Sequence, residues 1–400
     1  MRRHFGPRGL SRVVTGLERL VDSPPADLQR ARLGLLANQA SVGPGYCHAV
    51  EMIDQALPGR LRALFGPQHG FAGEKQDNMV ESDHGLDPAA KRPVYSLYGE
   101  TRRPLPEMLN KLDVLLVDLV DVGTRVYTFA QTMSYCLEAA AEQGVAVRVL
   151  DRPNPIGGTQ VEGNLLAPDC ASFVGRFPIP MRHGMTLGEL ALYMADRLDP
   201  APDLQVVPLS GWNRAMYFDQ TGLPWVLPSP NIPTPDTALV YPGQVLWEGT
   251  NLSEGRGTTR PFHLFGAPFI DPYGLVEELA PCGLPGVCLR PASFEPTFQK
   301  HAGQVCHGLE IHPVDRESFQ PYLTSLTALE VLLRLYPDRL AWKQPPYEYE
   351  RERLPLDLIL GDRRVREELE AGTSAAALAE AWAGDLGTFL RLREKYLLYE

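Results

Sequence analysis

A chain of 400 residues with 44% hydrophobic and 22% charged residues has the composition of a globular protein with a full core, which excludes a disordered chain. A formal net charge of −11 argues against a broad nucleic-acid-binding surface. Six cysteines without a C-x-x-C pair are too sparse for a disulfide framework and are expected as buried free thiols.

The stretch MRRHFGPRGLSRVVTGLERLVD (1–22) begins basic but has no apolar h-region, so no signal peptide is expected. No apolar run reaches the ~20 residues of a membrane helix. A cytoplasmic location without membrane contact is the resulting expectation. Strands are predicted at 31–37, 61–66, 93–98, 112–118, 145–150 and 204–209, several of them nearly continuous apolar runs of the kind buried on both faces. Helical patterns fall between them. The clearest are 130–143 and 186–198, where Thr186 can cap the helix and Glu189 complete a capping box. This alternation predicts an open, mostly parallel α/β sheet.

The Pro-rich stretch LPSPNIPTPDTALVYPG (227–243) disfavours helix and central strand alike, and predicts a boundary between domains 1–236 and 237–400. The second half mixes short strands, such as 308–312, with helices at 320–335 and 375–397. It reads as a smaller α+β domain.

Ligands of open α/β sheets bind beyond the carboxyl ends of the strands. Asn38 follows the first predicted strand, and Gln68 and His69 follow the second. Asp118, Asp121 and Arg125 follow the fourth, and Asp151, Arg152 and Asn154 the fifth. The loop from Gln68 to His84 adds Glu74 and Glu81 to this edge. No G-x-G-x-x-G follows the first strand and no Walker A motif occurs, so no nucleotide cofactor is expected. The absence of H-E-x-x-H and H-x-H argues against a catalytic metal, and that of G-x-S-x-G against a serine nucleophile. Carboxylates remain. A glycosidase needs one carboxyl group with a raised pKa and a second that stays ionised. Glu74, Glu81, Asp118, Asp121, Glu162, Glu248 and Glu254 are the candidates. Arg182 in PMRHGMT and Arg256 in EGRGT can grip a substrate carboxylate with two hydrogen bonds. Tyr98, Tyr127, Trp212 and Trp247 can stack on a sugar face.

LLANQASV, FGPQHGFAGEKQD, PVYSLYGE, DLVDVGTRVYTF, LDRPNPIGG, VEGNLL, PMRHGMTLGELA, PSPNIPT, EGTNLSEGRGTTRPF, PTFQKHAGQVCHGLEIH and YEYE follow one another along the chain. This ordered set resembles the NamZ-type exo-β-N-acetylmuramidase family, from about residue 31 to the C-terminus. The resemblance implies a Rossmann-like N-terminal domain without a nucleotide, a smaller C-terminal domain, and an active site in the cleft between them. It implies release of terminal N-acetylmuramic acid from the non-reducing end of peptidoglycan fragments, with a muropeptide or muramyl sugar as partner. The lactyl carboxylate of that sugar would meet Arg182 or Arg256. Many members carry Glu where this chain carries Gln68, and an amide cannot transfer a proton. The acid/base is therefore expected from Glu81 or Glu74, with His69 and Asp118 or Asp121 orienting sugar or water. Asn38, Gln68, Arg125, Tyr127, Asn154, Arg182, His183, Asn231, Asn251, Glu254 and Arg256 are the expected substrate-binding set. A binding protein that does not cleave muramyl sugars, and a carbohydrate esterase or amidase, are the alternatives left open. Stereochemistry and oligomeric state are not set by the sequence.

Overall fold

The apolar runs of the first half stack into one sheet because both of its faces are covered. The structure is a computed structural model that describes residues 12–400. Residues 1–11, where the signal-peptide reading begins, lie outside the described residues. In chain order the strands are β1 (Leu33–Ala37), β2 (Leu61–Gly66), β3 (Gly85–Leu86), β4 (Pro93–Ser96), β5 (Val114–Asp118), β6 (Ala146–Leu150), β7 (Glu162–Leu165), β8 (Pro180–Arg182), β9 (Leu204–Val207), β10 (Leu264–Ala267), β11 (Val287–Phe294) and β12 (Cys306–Pro313). The large sheet has the order β3-β4-β2-β1-β5-β6-β9. Its pairs are parallel except β3 with β4. Without that short edge strand the order is the doubly wound one, which reverses direction between β1 and β5.

Side-chain alternation sends successive strand residues to opposite faces. Leu33 and Leu35 of β1 join a cluster with Leu17 and Leu20 of α1 (Gly16–Asp22) and Ile53 of α2 (Ala49–Ala56). Leu36 of β1 and Leu115 and Val117 of β5 face the other way. There they meet Met108 of α3 (Pro106–Leu109), Met133 of α4 (Thr128–Gln143) and Leu190 of α5 (Leu187–Ala195). Thr186 and Glu189 form the expected capping box at α5. The fully buried Asp151 at the tip of β6 accepts from the Thr186 hydroxyl at 2.7 Å and the Tyr399 hydroxyl at 2.6 Å, which ties the chain's end to the first sheet.

The second sheet is antiparallel, in the order β10-β12-β11. The second apolar cluster continues without a break from α4 into this lobe, through Trp247, Phe265 and Leu309. The Pro-rich stretch departs from its reading. It contains α6 (Pro235–Gln244), capped by Thr234, with Pro235 in the first turn and Pro242 inside. Proline in the first turn removes no intrahelical bond. After Pro242 the chain tightens into a 3-10 turn, Val245–Gly249. The helix is kept because it is buried against α8 (Pro321–Leu335), which α7 (Pro272–Leu279) also contacts. The helix expected over 375–397 is broken at Trp382, after α9 (Pro355–Leu360) and α10 (Arg363–Glu370), into α11 (Ala375–Ala381) and α12 (Ala383–Arg393). Of the six cysteines, Cys136, Cys170 and Cys306 are buried as expected, whereas Cys282 and Cys288 are exposed and Cys47 is half-buried. Among the described residues no helix is long and apolar enough to cross a membrane.

Gly243 lets α6 lie directly on the start of α8, where an added Cβ would collide with the Pro321 carbonyl oxygen. Replacing Gly243 with Ala is expected to cost about 3 kcal/mol through forced displacement of a packed backbone. A lowered midpoint in urea, compared with the wild-type chain, is the measurement.

Candidate active site

Two lobes supply one cleft, lined among others by Gln68, His69, Asn78, Tyr127, Asn231, Glu248, Arg256, Tyr347 and Glu348. From the first lobe, the tip of β2 delivers Gln68 and His69. His69 is in the left-handed region at φ 74°. Its Nδ1–H donates to the Lys75 carbonyl at 2.7 Å, so Nε2 carries the lone pair. Burial lowers its pKa to about 4, and the Arg256 charge works in the same direction against the Lys75 bond and Glu248. His69 is therefore a neutral hydrogen-bond acceptor near neutral pH.

From the second lobe come Glu248, at the end of the 3-10 turn, and Arg256, between Gly255 (φ 76°) and Gly257 (φ 78°). Arg256 Nη2 donates to Glu248 Oε1 at 2.6 Å, and its Nε lies 3.1 Å from Glu254 Oε1. Lys300 Nζ closes the network 2.8 Å from Glu254. Glu248 Oε2 accepts from the Tyr347 hydroxyl at 2.8 Å and from Asn78 at 3.2 Å. Burial works to raise the Glu248 pKa, but the Arg256 charge and the Arg256 and Tyr347 hydrogen bonds outweigh it and hold the carboxylate ionised.

Glu348 has the opposite environment. It is 5% exposed, with Oε1 accepting from Gln68 Nε2 at 3.0 Å and Oε2 from the Tyr98 hydroxyl at 2.6 Å. Burial pushes its pKa up to about 7 against those two hydrogen bonds, and the Glu248 charge adds to the rise. Glu348 (φ 45°) and Tyr349 (φ 70°) are successive non-glycine residues in the left-handed region. Such backbone costs of order 1–3 kcal/mol per residue and concentrates at functional sites.

The floor is aromatic. Tyr127 packs 4.7 Å from Phe129 and 6.0 Å from Tyr241, Tyr241 stands 4.8 Å from Phe262, and the Arg256 guanidinium covers Phe262 at 5.0 Å. These rings line the base of the cleft and pack largely on one another.

Of the residues expected from sequence, Gln68, His69, Tyr127, Asn231 and Arg256 line this cleft together with the candidate carboxylate Glu248, and Glu254 buttresses Arg256. Glu74 and Glu81 do not reach it. Both are exposed, and Glu81 meets the Tyr349 hydroxyl at 3.2 Å and Arg102 at 3.6 Å on the outer surface. A solvated carboxylate outside the cleft cannot touch a sugar held inside it, so the expectation that either supplies the acid is corrected. Asp118 is fully buried and locked to Arg152, with Nη2 at 2.8 Å. Asp121 accepts from Gly123 N–H at 2.7 Å and lies 3.2 Å from His183 Nε2, in a buried turn.

The remaining polar residues are occupied by backbone. Arg125 donates to the carbonyls of Asn164, Ile179, Ile359 and Leu360. Arg182 donates to the Ile156 carbonyl at 2.6 Å and to the Gln160 side chain. Asn38 holds the Pro228 carbonyl at 2.8 Å, Asn154 the Met185 carbonyl at 3.0 Å, and Asn251 the Arg339 carbonyl at 2.9 Å. Their place in polar motifs reflects backbone carbonyls that need donors in loops without regular structure.

Glu348, Tyr347, Asn78, Ser229 and Tyr241 line the cleft without having been singled out as site residues. The one signal for Glu348 is the Tyr-Glu alternation in YEYE. Its partner Gln68 lies 280 residues away, a separation that local pattern cannot bridge.

The fold and cleft define a two-domain α/β protein with a paired-carboxylate site at the carboxyl edge of a doubly wound sheet. The family model described as exo-beta-N-acetylmuramidase NamZ, N-terminal, matches residues 33–236, and its C-terminal counterpart matches residues 239–399. The chain belongs to the NamZ exo-β-N-acetylmuramidase family. It is 43% identical over 388 residues to the peptidoglycan beta-N-acetylmuramidase NamZ of Bacillus subtilis (strain 168), covering 97% of this chain and 92% of that protein. Crystal structures of two DUF1343 family proteins from Bacteroides fragilis NCTC 9343 are similar to it. One has a TM-score of 0.89 at 35% identity and covers 97% of this chain and 99% of its own. The other has a TM-score of 0.75 at 28% identity and covers 98% and 99%.

Arg125 separates framework from site. Arg125→Met is expected to lower stability by about 3 kcal/mol, because four buried carbonyls each lose a donor and those of Asn164 and Ile359 lose the guanidinium that served them. The folded fraction should keep kcat/KM within about threefold of wild type, which chemical denaturation and activity on a muramyl sugar together measure.

Proposed function

We propose that this chain hydrolyses the glycosidic bond of a terminal N-acetylmuramic acid at the non-reducing end of peptidoglycan fragments. The observation that carries the reading is the pair of buried carboxyl groups in one cleft, Glu348 raised to about 7 and Glu248 held ionised. Environments that push two carboxyl groups apart assign an acid and a fixed anion. The 43% identity to a B. subtilis protein described as a peptidoglycan beta-N-acetylmuramidase supports the substrate class.

In this reading the protonated Glu348 donates to the leaving glycosidic oxygen. Glu248, held by Arg256, Tyr347 and Asn78, stabilises the positive charge that develops on the sugar ring. Water then forms the new bond to the anomeric carbon and passes its proton to the Glu348 carboxylate, which restores the acid, while the neutral His69 accepts from a substrate hydroxyl or water through Nε2. Arg256 supplies the positive charge that faces the lactyl carboxylate, and the aromatic floor carries the sugar face.

Turnover of a chromogenic N-acetylmuraminide is the test. Glu348→Gln is expected to lower kcat by roughly 10²–10⁴-fold, the usual worth of a general acid. Wild-type activity in that variant would remove Glu348 from the chemistry. Because the protonated form acts, kcat/KM should fall as pH rises through about 7.

The same group leaves a mark on stability. Its folded pKa of about 7 lies above the ~4.3 of an unfolded glutamate. Between those values the folded chain binds more protons than the unfolded one, so this group's contribution to stability declines as pH rises through the window and levels off above it. Denaturation curves across pH 4–8 should show a shallower decline in Glu348→Gln than in wild type.

A further inference from the structure

Glu348 meets two donors on its protein side, and one of them is itself oriented by a third residue. Gln68 is 5% exposed and Thr128, the first residue of α4, is 6% exposed. The Thr128 hydroxyl donates to Gln68 Oε1 at 2.6 Å, and Gln68 Nε2 donates to Glu348 Oε1 at 3.0 Å. An amide has one acceptor end and one donor end. With its oxygen accepting from Thr128, Gln68 presents its N–H to Glu348. Tyr98 occupies the other carboxyl oxygen with a second donor at 2.6 Å. A proton on Glu348 finds no acceptor at the Gln68 N–H, and the open side of the group is the cleft it lines.

We infer that Thr128 and Gln68 are positioning residues for Glu348, a relay of two hydrogen bonds that keeps Oε1 an acceptor on its protein side and favours a proton turned toward the substrate. This rests on the reading of Glu348 as proton donor. Neither residue touches the bond that breaks. The relay crosses the cleft, from the tip of β2 and the start of α4 in the first lobe to the strained turn at Glu348 in the second. It also favours the ionised carboxylate, so it offsets part of what burial does to the same group.

The other titratable and charged groups around Glu348 are Tyr98 and Arg102 after β4, Tyr241 of α6, Glu248, Arg256 and the adjacent Tyr347. None of them is altered by a change at Thr128 or Gln68, so the relay can be tested by itself.

The experiment is the pH profile of kcat/KM for the full chain on a chromogenic N-acetylmuraminide, with thermal unfolding of each variant as the control for folding. Gln68→Leu removes a donor to the ionised form. Its alkaline limb is expected about one pH unit above wild type. Thr128→Val frees the amide to turn and should displace the limb in the same direction by less. Gln68→Glu places a second carboxyl against the first, and like charge should displace the limb upward in two steps. Tyr98→Phe, which removes the other donor, calibrates the response. If Gln68→Leu fails to fold, Thr128→Val and Gln68→Glu decide the matter. Limbs that superimpose on wild type in folded Thr128→Val and Gln68→Glu overturn the relay, as does a uniform loss of rate at every pH. Glu348→Gln separates the two ideas. If it is inactive while the limbs stay fixed, the relay alone falls; if it is fully active, the reading of Glu348 falls and takes the relay with it.

Discussion

The structure depends on a buried charge being answered within its own neighbourhood. Arg256 is 6% exposed, and no solvent repays its desolvation. Glu248 and Glu254 do so from either side, and Lys300 answers Glu254 in turn. Removing one member of such a network leaves its partner charged and unpaired, which costs far more than the network contributes as a whole. The turn Gly255–Gly257, the 3-10 turn that ends at Gly249 and the loop at Lys300 are therefore held to one another by electrostatics as much as by packing. A carboxylate fixed in this way stays ionised in a place where burial alone would protonate it.

That constraint explains how two glutamates of the same lobe take opposite states. Glu248 sits against a guanidinium, whereas Glu348 sits against an amide and a phenol. Hydrogen bonds from neutral donors favour the ionised form, but less than a full positive charge does. Burial therefore prevails at Glu348 and is overruled at Glu248. The left-handed turn at Glu348 and Tyr349 shows that the second lobe stores backbone strain to present this group.

The lobes meet through side chains of the loop that leaves β2. Gln68 reaches Glu348, Asn78 reaches Glu248 and accepts from Gln299, and Asn231 in the connecting segment donates to the Gln76 carbonyl. A doubly wound sheet places its ligand crevice at the strand tips. Here the tips of β1, β5 and β6 are filled by their own polar side chains. Asp118 and Arg152 pair with each other, and Asn38 is bound to the connecting segment. The open site is displaced toward β2, where the second lobe forms the opposite wall.

Local physics made much of this legible from the residues alone. Apolar runs such as LGLLA and VLLVD fit strands buried on both faces, and Thr186 with Glu189 fits a helix start, and the structure has both. The ordered motifs identified the family, and His69 and Arg256 were readable as residues of the cleft because a strand tip and a glycine-flanked turn are where such groups are presented. The identity of the second carboxyl was not readable. Glu74, Glu81 and Glu348 are the same residue type in equally polar stretches. What separates them is exposure to water and contact with Gln68, Tyr98 and Glu248, and those are set by how distant segments pack. The sequence by itself determined most of the strands of the first lobe, the alternation that makes its sheet mostly parallel, and the chemical inventory, because these follow from neighbours in the chain. Only the tertiary structure decided which carboxyl is pushed toward its protonated form and which arginine faces the cleft, because burial, and the contacts of Glu348 with Gln68 and Tyr98, depend on segments hundreds of residues apart.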